Sequence, residues 1–174
     1  SLYGPTGTGG LVIGERMDAG RLRPFMYGGT GSRSESQNQP EFLPDKFESG
    51  TVNAVGLAGL EAGVRWVMEQ GVEELRDRGR GFTKRLIERL GNIPGVTVYG
   101  TLDAAKQLPV VSFTLDCLEP GELGLLLDER FGVAARVGLH CSPLAHSTLG
   151  TFPSGTVRLS LSAFTTVADV DAAI

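Results

Sequence analysis

The window from Ala135 to His146 concentrates the side chains most able to do chemistry. Between a predicted strand and a proline it holds Arg136, Cys141 and both of the chain's histidines, His140 and His146. A nucleophilic cysteine reacts as its thiolate, and a nearby guanidinium or protonated imidazole favours that form. The window therefore predicts that Cys141 is a nucleophile and that the other elements of the chain position it.

Two other kinds of chemistry could use the same residue types. A Cys–His protease normally draws its partners from distant parts of the sequence, whereas His140 and His146 are both local to Cys141. A metal site made of these three residues lacks a fourth ligand and the standard ligand spacings, so we predict no metal. A free thiol is most often buried and inert, and we assign that role to Cys117, which lies in the turn 116–118.

The second candidate is Arg158, in the predicted strand 156–162. Alternation along a strand places its apolar residues on one side and its polar residues on the other. The apolar side holds Val157, Leu159 and Leu161, and the polar side holds Arg158, Ser160 and Ser162. A guanidinium binds a carboxylate through two parallel hydrogen bonds, so Arg158 could bind a substrate carboxylate. A surface ion pair is the alternative role.

The elements that must position these residues form a small α+β unit from about residue 95 onward, one sheet with helices on one face. Its predicted strands are 96–99, 110–115, 133–136 and 156–162, and a helix from Pro120 to Phe131 ends at Gly132. A helix of about 17 residues from Ala54, dense in apolar residues, is expected to be largely buried. The helix 72–90 presents an inward stripe of Leu75, Phe82, Leu86 and Leu90, and Thr166 with Asp169 resembles a capping pair for a last helix.

The first 53 residues carry turns and a long polar loop. Leu11-Val12-Ile13 after a glycine-rich turn predicts a buried strand, and without a Gly-Lys-Ser/Thr ending that turn is not a P-loop. The loop from Met26 to Pro44, which includes Gly28 and Gly29, is either functional or a disordered connector. Thr51 or Asn53 would cap the helix that follows, where free backbone N–H groups attract anions.

Composition limits the classes of partner. The chain has 174 residues, 41% hydrophobic and 21% charged, which is typical of a globular protein. A net charge of −4 and a pI near 5.2 disfavour nucleic acid and anionic membranes as partners. No apolar run approaches the roughly 20 residues that span a bilayer. Two distant cysteines do not make a disulfide framework, which favours a reducing, cytoplasmic setting.

A series of segments, in order, resembles the cysteine desulfurases, which are class V aminotransferase-fold enzymes that use pyridoxal 5′-phosphate (PLP). The segments are Ser-Leu-Tyr-Gly-Pro-Thr-Gly-Thr-Gly-Gly-Leu, Gly-Gly-Thr-Gly-Ser, Phe-Glu-Ser-Gly-Thr-Val-Asn, Ile-Pro-Gly-Val, Arg-Val-Gly-Leu-His-Cys and Val-Arg-Leu-Ser. The resemblance covers essentially the whole chain. It implies an α/β protein of the fold type I PLP-dependent transferases. Residues 1–53 would end the large domain, 54–71 would be a connecting helix, and 72–174 would be most of a small α+β domain, truncated at its last helix.

The resemblance also implies an activity and roles for individual residues. Cys141 matches the cysteine that takes sulfur from L-cysteine as a persulfide and leaves L-alanine. Arg158 matches the residue that binds the substrate carboxylate, and Thr51 one that binds the PLP phosphate across a dimer interface. Gly28 and Gly29 match a loop that lines the site between subunits. The remaining matches, His140 and Arg136, are expected to contact substrate.

The family also implies partners and a missing group. We expect a cytoplasmic homodimer with shared active sites, a sulfur-acceptor protein and a role in iron–sulfur cluster assembly, with no nucleic acid or membrane partner. The Schiff-base lysine of the family precedes the segment matching Ser1 to Pro5, and Lys46, Lys84 and Lys106 lie in other contexts. We therefore expect the isolated 174 residues to be inactive. Alternatives are a selenocysteine lyase, an aminotransferase-like relative, or a non-catalytic folding or dimerisation module.

Overall fold

The computed structural model of the protein describes residues 2–174, which form two compact units that divide between Gln70 and Gly71. The assignment of these parts to a large domain, a connecting helix and a small domain of a longer protein stays a prediction. None of the helices within residues 2–174 is long and apolar enough to cross a membrane.

The first unit is built around helix α1, Ala54–Gln70. The side-chain carbonyl of Asn53 accepts the backbone N–H of Gly56 at 3.0 Å, so Asn53, rather than Thr51, caps this helix. The N-terminal segment runs along α1 because glycines let the two backbones approach closely. A Cβ added at Gly63 would overlap the backbone of Leu2 and Tyr3.

Two predictions for the first unit are wrong. Leu11 and Val12 are 72% and 93% exposed and belong to no strand, because residues 2–70 contain no second strand to pair with their backbone groups. The bounds of α1 agree with the prediction, but the helix is much less buried than predicted. In this helix only Gly56 and Gly63 are buried, and larger side chains such as Val55 are exposed. The reason is that the N-terminal segment packs against the glycines of α1 rather than against its larger apolar side chains.

The second unit contains a four-stranded sheet in the order β1-β2-β4-β3, and every neighbouring pair is antiparallel. The strands are β1 Val96–Tyr99, β2 Val110–Leu115, β3 Arg136–Gly138 and β4 Thr156–Ser160. Strand β4 is central to the site because it pairs with β2 on one side and with β3 on the other.

Helices cover one face of this sheet. They are α2 Val72–Gly91 and α3 Pro120–Phe131, with the shorter α5 Val167–Ala172 packed against α2. The core between helices and sheet consists of Leu86, Leu90, Val111, Phe113, Val157, Leu159 and Val170. Full burial of one such side chain contributes roughly 1.5–3 kcal/mol. The predicted one-sided α+β arrangement and the apolar side of β4 are confirmed. Of the residues predicted to face inward from α2, Phe82, Leu86 and Leu90 contribute to this core, whereas Leu75 does not.

Strand β3 begins three residues later than predicted. Gly132, in the left-handed conformation, ends α3. The N–H of Val133 then donates a hydrogen bond to the carbonyl of Leu127, which has no partner within the helix. The chain reaches the ladder only at Arg136, which lies opposite Arg158 in β4. Helix α4, Pro143–Leu149, was not predicted, although proline at its first turn and Gly150 after its end are the usual signals.

The capping pair predicted for the last helix is present. The Thr166 hydroxyl accepts the N–H of Asp169 at 3.2 Å, and the Asp169 carboxylate accepts the N–H of Thr166 at 2.8 Å. Hydrogen bonds from the backbone and then the hydroxyl of Thr166 hold the pKa of Asp169 below its usual range. A bidentate contact also ties α5 to α2, in which Arg85 Nε and Nη2 donate to the carboxylate of Asp171 at 2.7 and 2.9 Å.

We expect Asp171→Asn to lower the free energy of unfolding by about 0.5–1 kcal/mol. The value is small because both side chains are about 40% exposed, and such pairs are screened by solvent. Urea denaturation monitored by circular dichroism measures the change. Glu88→Gln is the matched control, since Glu88 only approaches Lys84 at 3.8 Å on the surface of α2. Equal losses in the two variants would show that the Arg85–Asp171 pair does not hold α5.

Candidate active site

The register of β3 and β4 brings the two predicted arginines together. Arg136 lies directly opposite Arg158, and Val137 lies opposite Val157. Because Val157 is buried in the core under the helices, alternation places both arginines on the other face of the sheet. The sheet therefore presents two guanidinium groups side by side on the face opposite α2 and α3.

Cys141 follows β3 on a tight turn of unusual conformation. His140 and Cys141 have φ values of +50° and +61°, and the N–H of Ser142 donates to the carbonyl of Leu139 at 2.8 Å. These are the features of a type I′ turn, which normally uses glycine or asparagine. Left-handed backbone costs about 1–2 kcal/mol for each non-glycine residue, and strain of this kind concentrates at functional sites.

The turn exposes Cys141 and directs its sulfur to a cation. Cys141 is exposed, and Arg136 Nη2 donates to its Sγ at 3.3 Å. A guanidinium at this distance stabilises negative charge on sulfur, which is the requirement for a nucleophilic thiolate. The predicted environment of Cys141 is thus present in the structure.

His140 is held between a hydroxyl and a second imidazole. Its Nε2 lies 3.0 Å from the Thr156 hydroxyl, and its ring centre lies 5.6 Å from that of His146. Burial lowers the pKa of His140, and the positive charges of Arg158, His146 and Arg136 lower it further. His140 is therefore uncharged at neutral pH, so it adds no positive charge beside the arginines.

Arg158 is a cation without a hydrogen-bonded partner in the part of the chain that the structure describes. Its Nε is buried and has no hydrogen-bond partner within residues 2–174, and the Nδ1 of His140 is in the same condition. Arg158 also forms no ion pair with the Asp and Glu side chains of residues 2–174. A buried donor without an acceptor is costly, so the site fits an anionic ligand such as a carboxylate.

The other histidine, His146, anchors α4 beneath the turn. It is 5% exposed, its Nδ1 lies 2.7 Å from the Thr151 hydroxyl, and its carbonyl accepts the N–H groups of Thr151 and Phe152. The loop after α4 also contacts β3, because a Cβ added at Gly155 would overlap the carbonyl of Gly138. Neither Thr151 nor Thr156 was predicted as a site residue. The alternation in β4 that identified Arg158 places Thr156 on the same side of the strand as Arg158.

The three predicted cofactor-binding residues lie in the first unit. The N–H of Gly50 donates to the carbonyl of Gly29 at 2.8 Å, and the N–H of Gly28 lies 3.4 Å from the side-chain oxygen of Gln39. These contacts bring the glycine loop to the segment that carries Thr51. The Thr51 side chain is exposed, and its hydroxyl has no hydrogen bond to residues 2–174. A free hydroxyl near the start of a 17-residue helix fits a phosphate.

Cys117 differs from Cys141 in its surroundings. It is exposed rather than buried, so that part of its predicted description is wrong. It lines a cavity of about 400 Å³ together with the acidic residues Asp116, Glu119 and Glu122. Unlike the sulfur of Cys141, the sulfur of Cys117 has no described contact with a cation in residues 2–174. Within residues 2–174 no cluster of three or more His, Cys, Asp or Glu side chains is arranged to hold a metal ion.

Comparison with known families extends these observations. The aminotransferase class-V family matches residues 2–173. The chain belongs to this family. The class V chain is 36% identical over 173 residues to a Xylella fastidiosa protein named "Probable cysteine desulfurase", covering 98% of the chain and 40% of that protein. A protein of the same name from Methanothermobacter thermautotrophicus is 32% identical over 170 residues, which is 96% of the chain and 42% of that protein.

Solved structures show the same relationship. A cysteine desulfurase from Escherichia coli superposes with a TM-score of 0.79 at 26% identity, covering 98% of the class V chain and 41% of that structure. The apo cysteine desulfurase of Thermococcus onnurineus gives a TM-score of 0.69 at 32% identity, covering 74% of the chain and 31% of that structure. The predicted family and α/β fold class are confirmed. The chain spans about 40% of the length of the curated relatives it matches.

We expect Gly155→Ala to destabilise the class V chain by at least about 3 kcal/mol. The new Cβ would combine a left-handed φ of +81° with overlap of the Gly138 carbonyl, which is the approach that seats β3. Gly150→Ala is the control, because its φ is +75° but nothing lies within 4 Å of an added Cβ. That variant should lose about 1 kcal/mol. Chemical denaturation decides, and similar losses would contradict the close approach.

We expect the free energy of unfolding to fall as the pH is lowered from 7.5 to 5.5. The unfolded chain, where the His140 pKa is about 6.5, binds a proton more readily than the folded chain, where that pKa is lower. The loss begins as the pH falls through about 6.5 and is complete below the folded-state pKa. Urea titrations at both pH values measure it, with His140→Gln for comparison. An equal pH dependence in that variant would rule out His140 as the source.

Proposed function

We propose that the intact protein is a PLP-dependent cysteine desulfurase that converts L-cysteine to L-alanine and leaves a persulfide on Cys141. One observation carries this proposal. The exposed Cys141 sulfur contacts the guanidinium of Arg136, and Arg136 lies opposite Arg158, a cation whose buried Nε lacks an acceptor. A nucleophilic sulfur and an unfilled carboxylate site thus share one sheet face. The names of the relatives support the same reaction class.

Each residue of the sheet face has a distinct task in this reaction. Arg158 binds the substrate carboxylate through paired hydrogen bonds. Arg136 stabilises the thiolate of Cys141 before attack. His140, being uncharged, does not compete with Arg158 for the carboxylate or deliver its own proton to the thiolate. The site therefore holds the nucleophilic sulfur and the amino acid in place together.

The sulfur transfer conserves atoms and electrons. The Cys141 sulfur forms an S–S bond with the substrate sulfur, and the bond from that sulfur to the substrate β-carbon breaks. The electron pair of the broken bond stays with the carbon, which takes a proton and becomes the methyl group of alanine. The substrate sulfur is oxidised to the persulfide level as the carbon is reduced, so no external oxidant is required.

The residues that would hold PLP are Thr51, Gly28 and Gly29. The free Thr51 hydroxyl and the contact of Gly29 with the adjoining segment fit a phosphate group. When bound, PLP withdraws electrons from the substrate carbons next to the sulfur-bearing carbon. We propose that Thr51 serves the site of a second subunit in a homodimer, as the family resemblance implies.

The chain's own lysines are engaged elsewhere. Lys46 is 2% exposed, and its ammonium donates to Glu41 at 2.8 Å and to the Ala19 carbonyl at 3.2 Å, which holds the first unit together. Lys84 and Lys106 are exposed and lie near Glu88 and Asp103 in surface pairs. We therefore propose that the Schiff-base lysine comes from a part of the protein outside these 174 residues.

Further consequences follow for the cellular role. We propose that the persulfide is passed to an acceptor protein in iron–sulfur cluster assembly and that the enzyme is cytoplasmic. Two free cysteines, Cys117 and Cys141, in an otherwise ordinary globular composition support a reducing compartment. A strained, exposed turn supports transfer, because it leaves Cys141 open to a partner protein.

The decisive experiment measures alanine and sulfide release from L-cysteine by the intact enzyme, with dithiothreitol to release bound sulfur. We expect Cys141→Ala to reduce both products to background, because no other thiol is beside the arginines. Cys117→Ala is the matched control and should retain wild-type rates. Mass spectrometry of the Cys141 peptide detects the persulfide directly. Full activity of Cys141→Ala would contradict the role of Cys141, and release from L-selenocysteine alone would favour a selenocysteine lyase.

A further inference from the structure

We propose that Thr156, His146 and Thr151 form a histidine clamp, a set of positioning residues that holds the His140 ring and thereby keeps Cys141 in its left-handed turn. The kinetic part of this inference rests on the proposed function, because it concerns the delivery of the Cys141 sulfur. The structural part does not. Neither threonine of the clamp was identified from the sequence as part of the site.

The turn needs such a restraint because its backbone is strained. His140 and Cys141 are consecutive residues at positive φ, a conformation that is strained for any residue but glycine. The turn's own single hydrogen bond, from the N–H of Ser142 to the carbonyl of Leu139, is too weak to offset the strain of both residues. Contacts from outside the turn must therefore hold it, and besides the Arg136 contact of the exposed Cys141 they are made by the side chain of His140.

Those contacts come from two elements and restrain the His140 side chain at two points. Thr156 in β4 is 1% exposed, and its hydroxyl lies 3.0 Å from Nε2 of His140. His146 in α4 is 5% exposed and lies 5.6 Å from the same ring, centre to centre. Thr151 in turn fixes His146 through a contact of 2.7 Å with Nδ1. The clamp is thus a continuous series of side-chain contacts that runs from the loop after α4 to the Cys141 turn.

The chemistry of the clamp suits a site that binds anions. The charged groups that face His140 are Arg136 from β3, His146 from α4 and Arg158 from β4, all cations or potential cations. A carboxylate beside His140 would fix the ring equally well, but it would also neutralise Arg158. Threonine hydroxyls orient both imidazoles without adding charge. The clamp therefore restrains Cys141 while it leaves Arg158 available for substrate.

The clamp separates two kinetic effects. Substrate binding depends on Arg158, whereas sulfur attack depends on the position of Cys141 Sγ, which the turn sets. Loss of the Thr156 hydroxyl should therefore lower kcat with little change in KM. Removing one hydrogen bond of about 1 kcal/mol predicts a decrease of roughly three- to tenfold in kcat. A residue with only a folding role would instead lower the melting temperature and leave kcat of the folded enzyme unchanged.

We test the clamp with Thr156→Val, which removes the hydroxyl but keeps the side-chain shape, and with Thr156→Ser, which keeps the hydroxyl. Thr83→Val is the matched control, because Thr83 is 0% exposed and its hydroxyl donates to the Gly79 carbonyl within α2, away from the site. The first readout is the NMR spectrum of the imidazole nitrogens in the 174-residue chain. This spectrum contains imidazole signals from only two residues, because the chain has two histidines. The second readout is kcat and KM of the intact enzyme.

We expect Thr156→Val to shift the His140 signals and to lower kcat three- to tenfold, with Thr156→Ser and Thr83→Val close to wild type. If Thr156→Val does not fold, Thr151→Val replaces it and should shift the His146 signals with the same loss in kcat. Unchanged imidazole signals, or equal effects of Thr83→Val, would overturn the clamp. If the intact enzyme releases no alanine, the proposed function fails, and the NMR comparison still decides whether the clamp exists.

Discussion

The pairing of β3 with β4 is the interaction on which the rest of the site depends. Only three residues of β3 take part, yet their register sets Arg136 opposite Arg158 and Val137 opposite Val157. A slip of one residue would turn Arg136 towards the core and separate the two guanidinium groups. The short strand is held from both sides, because α3 packs against Val137 and the loop after α4 packs against Gly138. The Cys141 turn then starts from a fixed point.

The electrostatics of the site explain its unusual side-chain partners. Two arginines and two histidines meet on one side of the sheet, and the described contacts of the histidines are to the hydroxyls of Thr156 and Thr151 rather than to carboxylates. Burial and neighbouring cations keep His140 uncharged. The positive charge is thereby left with the guanidinium groups, where an anion can use it. The buried Nε of Arg158 without an acceptor is a cost that a bound carboxylate would remove.

Backbone strain and rigidity are combined in the same few residues. The left-handed turn at His140 and Cys141 brings the sulfur to the surface, while the buried side chains of His146 and Thr151 keep the neighbouring helix in place. A long flexible loop would reach further but would hold Cys141 less well beside Arg136. The chain spans about 40% of the length of its relatives. In its first unit, Thr51 and the Gly28–Gly29 loop are the residues suited to bind a phosphate.

The sequence alone determined the family, the position of Arg158 on the polar side of β4 and most helix and strand bounds, and it predicted Cys141 as the nucleophile. These follow from local signals: ordered motifs, alternation in strands, and caps such as Gly132. It did not determine burial in the first unit, because the apolar residues of α1 and of Leu11–Ile13 show a preference for burial but not which surface covers them. Only the tertiary structure decided that Arg136 lies opposite Arg158 and that two threonine hydroxyls hold the histidines. The first of these and the Thr156–His140 contact join residues distant in sequence, and the Thr151–His146 contact depends on how the chain turns after α4. The alternation that places Thr156 on the polar side of β4 does not show that the His140 ring lies beside its hydroxyl.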